Sequence, residues 1–225
     1  MNAPRSGEAP PRSQTSSGPP SSGPAAGSAR PPDRRDQILR EAAECFAQSG
    51  FSGTTTREVA ARVGITEAAL YRHFPSKEAL YSAIIDSRIA EPDPIAALEA
   101  AADRRDDRAV FSGLARASLR RGYEDPAFFR ILLFTGLEGH SLAEPFYEAR
   151  VRRLRSFLTD YVARRIEEGA FQPMDPILAS RAFFGMLLGH MLVKTVYRQD
   201  ERDERSMDEV IDSLVPIFLH GVLRS

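Results

Sequence analysis

Three interruptions, at Ser49-Gly50, Gly64 and Pro75, constrain this chain more than any other feature. They cut a stretch of helical spacing into a long helix, two short ones and a second long one. In the first, Ile38, Leu39, Ala42, Ala43, Cys45 and Phe46 recur at threes and fours, and Asp33 stands where it can cap the start. Cys45 lies on this apolar stripe and reads as a small core residue. Phe51-Ser-Gly-Thr-Thr-Thr is a turn, and Thr55 and Glu58 have the spacing of a capping box. Val59, Ala60 and Val63 give the next helix its apolar face before Gly64 stops it. Thr66 can cap a second short helix, Glu67 to Phe74, which Pro75 closes; Ser76 can cap the next, running to about Ala90.

This is the spacing of a helix-turn-helix. Counting Thr56 as position one, small Ala60 falls fifth, where the two short helices touch, and Gly64 falls ninth, in the turn. Glycine suits a turn that needs a positive φ, because it carries no Cβ penalty there. Val59, Val63, Ile65 and Leu70 fill the positions that lock the pair. Such a pair presents its second helix as a rigid rod to the DNA major groove.

The run from Thr56 through Leu70-Tyr71-Arg72-His73-Phe74-Pro75-Ser76-Lys77 to Leu80 resembles the DNA-binding signature of TetR-type (TetR/AcrR) regulators, as does the helix from Ile38 to Ser49 followed by Gly50-Phe51. The resemblance is specific over 33–90 and only architectural beyond Glu91. It implies that Thr56 holds a DNA phosphate and that Thr66, Glu67, Ala68 and Ala69 lie at the groove-facing start of the recognition helix. Tyr71, Arg72 and His73 would reach backbone or base edges, and Lys77 would add its charge to helix-end amides on a phosphate. In isolation Arg72 and Lys77 read as surface charges and Tyr71 as a core aromatic with an exposed hydroxyl; the constellation points to DNA. Glu67 stands where small or basic residues are common, and would either accept from a cytosine amino group or repel phosphate. Residues 57–77 carry a net charge of +2 while 33–90 is neutral, a balance that suits specific contacts and dimer geometry better than indiscriminate binding.

Beyond Glu91-Pro-Asp-Pro the pattern stays helical, with helices expected near 94–103, 107–122, 126–138, 142–168, 175–197 and 206–223. The fold class is therefore all-α: a helix-turn-helix domain over 33–93 (motif 56–75) and a helical effector-binding and dimerisation domain over 94–225. Two recognition helices one duplex turn apart read a palindrome, so the expected partners are a second copy and a palindromic operator in double-stranded DNA. The helix near 175–197 is apolar nearly all round and needs partners on several sides. Gly185 and Gly189 would admit a close neighbour, and the resemblance implies a four-helix dimer bundle with Leu192, Ile211, Leu214 and Phe218 at the interface; core packing within one chain is the simpler alternative. Pro216 is expected to kink or interrupt the last helix. A small hydrophobic or amphipathic ligand is expected to sit among Phe128, Phe129, Phe134, Phe157, Met186 and Tyr197, with His140 and His190 as polar handles.

Other classes find little support. No nucleophile elbow, phosphate-binding loop, dinucleotide fingerprint or zinc-protease motif occurs, so neither an enzyme, a cofactor nor a metal is expected. A single cysteine makes no internal disulfide. The apolar stretch from Ala182 to Val193 is too short for a bilayer, and with no secretory signal in the opening residues the expected location is the cytoplasm, away from membranes. Residues 1–32 hold eight Pro, seven Ser and four Gly and read as a disordered tail. The expectation is a repressor released by its ligand; the rival is an architectural DNA-binding protein of the same fold that recruits a protein partner and has no effector.

Overall fold

The structure, a computed structural model, describes residues 33–197 and 205–223; the expected tail over 1–32, and residues 200–204 of the charged run, lie outside them. The described residues are helical, with one isolated bridge between Phe171 and Leu223. α1 (Arg34–Gly53) opens on Asp33, whose side chain accepts from Arg35 N–H. It breaks at Gly50, at φ 70° and ψ −177°, and Phe51–Gly53 follow as one further turn. α2 (Thr56–Val63) is capped by the Thr55 hydroxyl on Glu58 N–H and ended by Gly64 at φ 75°. α3 (Glu67–His73) is capped by Thr66 on Ala69 N–H, and α4 (Lys77–Ile89) by Ser76 on Ala79 N–H. These signals act within a few residues of one another, so the sequence carries them directly.

α5 (Ile95–Asp103), α6 (Asp107–Glu124) and α7 (Pro126–Glu138) follow. A 3-10 turn (Ser141–Ala143), one α-turn labelled α8 (Glu144–Phe146) and a π-helical stretch (Tyr147–Arg152) then lead into α9 (Arg153–Glu167). α10 (Pro176–Leu192) runs into a second π-helical stretch (Val193–Tyr197). α11 (Met207–Val222) starts at a complete Ser206–Glu209 capping box and continues through Pro216 without interruption.

The buried residues form two clusters. One gathers Ile38, Phe46, Val59, Leu70, Phe74 and Tyr81 from α1–α4 and also takes in Ala127, Phe128 and Ile131 of α7 and Phe146 of α8. The core of the DNA-binding head thus extends past residue 93, because α7 packs along α1. The other cluster joins α5, α6, α9, α10 and α11 around Phe111, Phe183 and Phe218, whose rings meet at 5.0–5.2 Å. At its edge Asp107 accepts from Tyr161 and from both Nε and Nη2 of Arg165, which ties α6 to α9. Burial, then the hydrogen bond to the Asp107 carboxylate, pushes the Tyr161 phenol well above its usual value.

The helical span Pro176–Tyr197 has 22 residues, longer than the apolar stretch read from sequence, and is long and apolar enough to cross a bilayer by length and composition. Here it packs on α6, α9 and α11 with Phe183, Leu187 and Met191 in the core. Gly122 of α6 lies under the end of the Met191 side chain, whose methyl a Cβ there would displace.

Candidate DNA-binding site

α2 and α3 meet through Val59, Ala60, Val63 and Leu70, all buried, and this leaves the far side of α3 bare. Ala68, Tyr71, Arg72 and His73 are exposed on it, and Tyr71 keeps 44% of its surface open. Arg72 of α3 and Arg57 of α2 are exposed and have no carboxylate partner among the described residues. Arg62, by contrast, is paired with Glu41 at 2.8 Å. Thr66 is spent on its cap, while Ala69 is half-buried under the helix.

Three expected DNA contacts, Thr56, Glu67 and Lys77, are engaged within the protein. The Thr56 hydroxyl lies 2.5 Å from Glu67 Oε1, to which it donates, and 3.1 Å from the Tyr71 hydroxyl. Glu67 therefore has a partner inside the protein, a third option beside the two left open by the sequence. Lys77 turns inward: its Nζ donates to the carbonyls of Phe51 (2.9 Å) and Thr54 (3.0 Å) and stands 4.3 Å from the centre of the Phe51 ring. It closes the turn between α1 and α2 rather than standing free at the surface. Sequence spacing could not show this, because the carbonyls it meets lie 26 and 23 residues upstream.

Behind the head, Glu138 at the end of α7 accepts from Phe51 N–H (3.1 Å) and Ser52 N–H (3.3 Å). Arg130 Nε donates to Ala47 carbonyl at 2.8 Å, and the Tyr81 hydroxyl meets Thr135 Oγ1 at 2.5 Å. Burial raises the Tyr81 phenol above its usual value. His140 lies against Phe51 and Tyr81, with Nε2 3.1 Å from Glu138 Oε2. These contacts fasten the head to the body.

Between α5, α6, α7, α9, α10 and the Tyr147–Arg152 stretch the body holds a cavity of about 930 Å³ that opens to solvent. Of the eight residues expected around a ligand, Phe128 and Phe129 line it. Phe134 packs beside Gly50 and His140 beside Phe51, both at the head–body contact. Phe157 stacks on Tyr161, and Met186 joins the body core. His190 Nε2 lies 2.9 Å from the Tyr123 hydroxyl, and Tyr197 is exposed. Apolar spacing identified core positions, and which of them border empty space depends on how six segments meet.

Gly185 and Gly189 are exposed on α10, where a Cβ on either would meet nothing in this chain. Ile177, Leu178, Leu188, Val193 and Val196 are exposed with them. Leu192 and Leu214 are half-buried. Ile211 and Phe218, expected at the interface, instead point into the chain's own core, because they lie on the stripe with Val215, Leu219 and Val222. Ile217, off that stripe and 63% exposed, is the α11 residue that sequence reading passed over.

A bare recognition helix locked at a glycine turn, on an all-helical body, defines a helix-turn-helix DNA-binding regulator. Residues 38–84 match the family described as bacterial regulatory proteins, tetR family, and residues 123–221 match the AefR-like transcriptional repressor C-terminal domain. The chain belongs to the TetR family. The nucleoid occlusion factor SlmA of Aliivibrio fischeri (strain MJ11) is 29% identical over 166 residues, 71% of this chain and 83% of that protein. The TetR family transcriptional regulator PfmR from Thermus thermophilus superposes with a TM-score of 0.64 at 28% identity, covering 85% of this chain and 98% of that one. AibR, solved with isovaleryl coenzyme A and operator DNA, has the same fold: TM-score 0.54, 23% identity, 82% of this chain and 97% of that one.

Proposed function

We propose that this protein is a cytoplasmic, dimeric repressor that occupies a palindromic operator and leaves it when a small apolar or amphipathic molecule fills the body cavity. The exposed face of α3 carries the reading: Ala68 admits close approach to base edges, while Tyr71, Arg72 and His73 supply donors at its rim. Thr56 reaches phosphate once its single hydroxyl proton turns from Glu67 to the DNA. The exposed apolar strip on α10, with Gly185, Gly189 and neighbouring Leu192, and Ile217 with Leu214 on α11, meets its copy in a four-helix bundle. A cavity of about 930 Å³ is at the upper end of small-molecule sites. Ligand then stabilises a dimer whose heads no longer match the operator, and DNA affinity falls by linkage.

The likeness to SlmA favours one other reading, an architectural DNA-binding protein that recruits a protein partner. Selection of genomic fragments by the purified protein, with sedimentation of the complexes, separates the two. A few palindromic sites, each holding two chains, support the repressor; many dispersed sites support the architectural role. Gly189→Glu with Ile217→Asp should yield folded monomers that lose DNA. Persistence of the dimer would move the interface elsewhere.

A further inference from the structure

Building on the reading of the body cavity as an effector site, we propose that it takes an anionic amphiphile, whose acidic head Arg155 and Arg181 hold and whose apolar chain lies against α6, α7 and α10. Six arginines border the cavity and only one acid, Asp93. Three of them are already matched. Arg116 pairs with Asp208 at 2.6 Å, Arg120 with Glu91 and Glu124 at 3.2 Å each, and Arg150 with Asp93 at 4.0 Å and the carbonyls of Ile89, Glu91 and Pro92. Arg155 has only the Tyr147 hydroxyl, at 2.7 Å, and Arg181 has no acid partner among the described residues. The two lie on adjacent helices, where the Ser180 hydroxyl donates to the Arg155 carbonyl at 3.4 Å. Arg104, at the end of α5, likewise lacks an acid and adds to the positive potential.

Apart from Ser118 and Tyr147 the rest of the wall is apolar, with Leu119, Phe129, Leu154, Phe184, Leu188 and Met191. A neutral amphiphile covering Arg155 and Arg181 would strip water from two guanidinium groups and return nothing, and a cation would be repelled. A carboxylate or phosphate returns charge-assisted, bidentate hydrogen bonds, which is what a guanidinium is shaped to give. The Tyr147–Arg155 pair also borders a recess of about 440 Å³ lined by Arg152, Ser156, Thr159, Ile177 and one acid, Asp160.

The chain has no tryptophan, so a Phe184→Trp variant of the full protein reports on the cavity alone. Dodecanoate, dodecyl phosphate, dodecanol and dodecyltrimethylammonium are titrated against it below their micellar concentrations. Either anion should bind about tenfold or more tighter than the alcohol, and the cation weaker still, the scale of one charge-assisted hydrogen bond. Which anion binds better identifies the head. Arg181→Ala and Arg155→Met should each weaken the anions about tenfold and leave dodecanol unchanged. Arg181 is exposed, so the melting temperature of its variant without ligand shows whether the fold is intact. Dodecanol binding as tightly as the anions, or anions indifferent to both variants, would overturn the proposal while leaving an effector cavity in place. Binding of none of the four overturns it too, and operator binding then judges the repressor reading separately.

Discussion

Three polar side chains of the DNA-binding head answer to different physics. Lys77 gives two charge-assisted hydrogen bonds to carbonyls of the α1–α2 turn. Lys77→Met should therefore cost about 1.5–3 kcal/mol of stability, read as a lower melting temperature. Arg72 is exposed and has no carboxylate partner among the described residues, so Arg72→Ala should leave the melting temperature alone and act only on DNA. If thermal unfolding of the Lys77 variant matched that of the parent, the inward assignment would fail. Glu67 accepts from Thr56, and we infer that it positions that hydroxyl rather than reading a base. Glu67→Gln should keep the operator preference and strengthen binding uniformly, since it removes a negative charge beside phosphates. Against a panel of single base-pair changes, a cytosine reader would instead lose about 1–3 kcal/mol of discrimination at one position.

At the scale of elements, the kink in α1 is the most exacting feature. Gly50 has a backbone conformation that is essentially glycine's alone, and a Cβ there would collide with the Glu138 carboxylate. Gly50→Ala should cost about 1–3 kcal/mol and loosen the head from α7, visible as faster amide exchange at Phe51 and Ser52. Unchanged exchange there would contradict the role given to Glu138. The break at Gly50 was legible because helix punctuation is local, as were the caps at Thr55, Thr66 and Ser76. Its partner was not, because Glu138 stands 87 residues from Phe51. The π-helical turns Tyr147–Arg152 and Val193–Tyr197 also escaped sequence reading, since segments of six and five residues are too short to establish an apolar period of their own. Pro216 was expected to kink or interrupt α11, which continues through it to Val222.

For the whole molecule, two buried tyrosines should weaken the fold at alkaline pH. Tyr81 and Tyr161 have phenols raised above 10.0, chiefly by burial. The unfolded chain releases those protons at lower pH than the folded one, so their contribution is complete below pH 10 and is lost as pH rises beyond it. Thermal melts from pH 8 upward should show this fall, and Tyr161→Phe should flatten it; an equally steep fall in that variant would contradict the assignment. Fold class and the short-helix pair could be read from spacing, because both follow from apolar periodicity and local breaks, while the DNA-facing residues of α3 came with the family resemblance. The cavity lining could not, since it depends on distant faces of α5, α6, α7, α9 and α10. Every role assigned to the head depends on the α3 face meeting DNA. The direct measurement is binding of the full protein to its selected sites across a salt series, beside Arg72→Ala. The variant should bind more weakly at every salt concentration, with a slope of log affinity against log salt shallower by about one. An unchanged slope and affinity would show that this face does not meet the DNA.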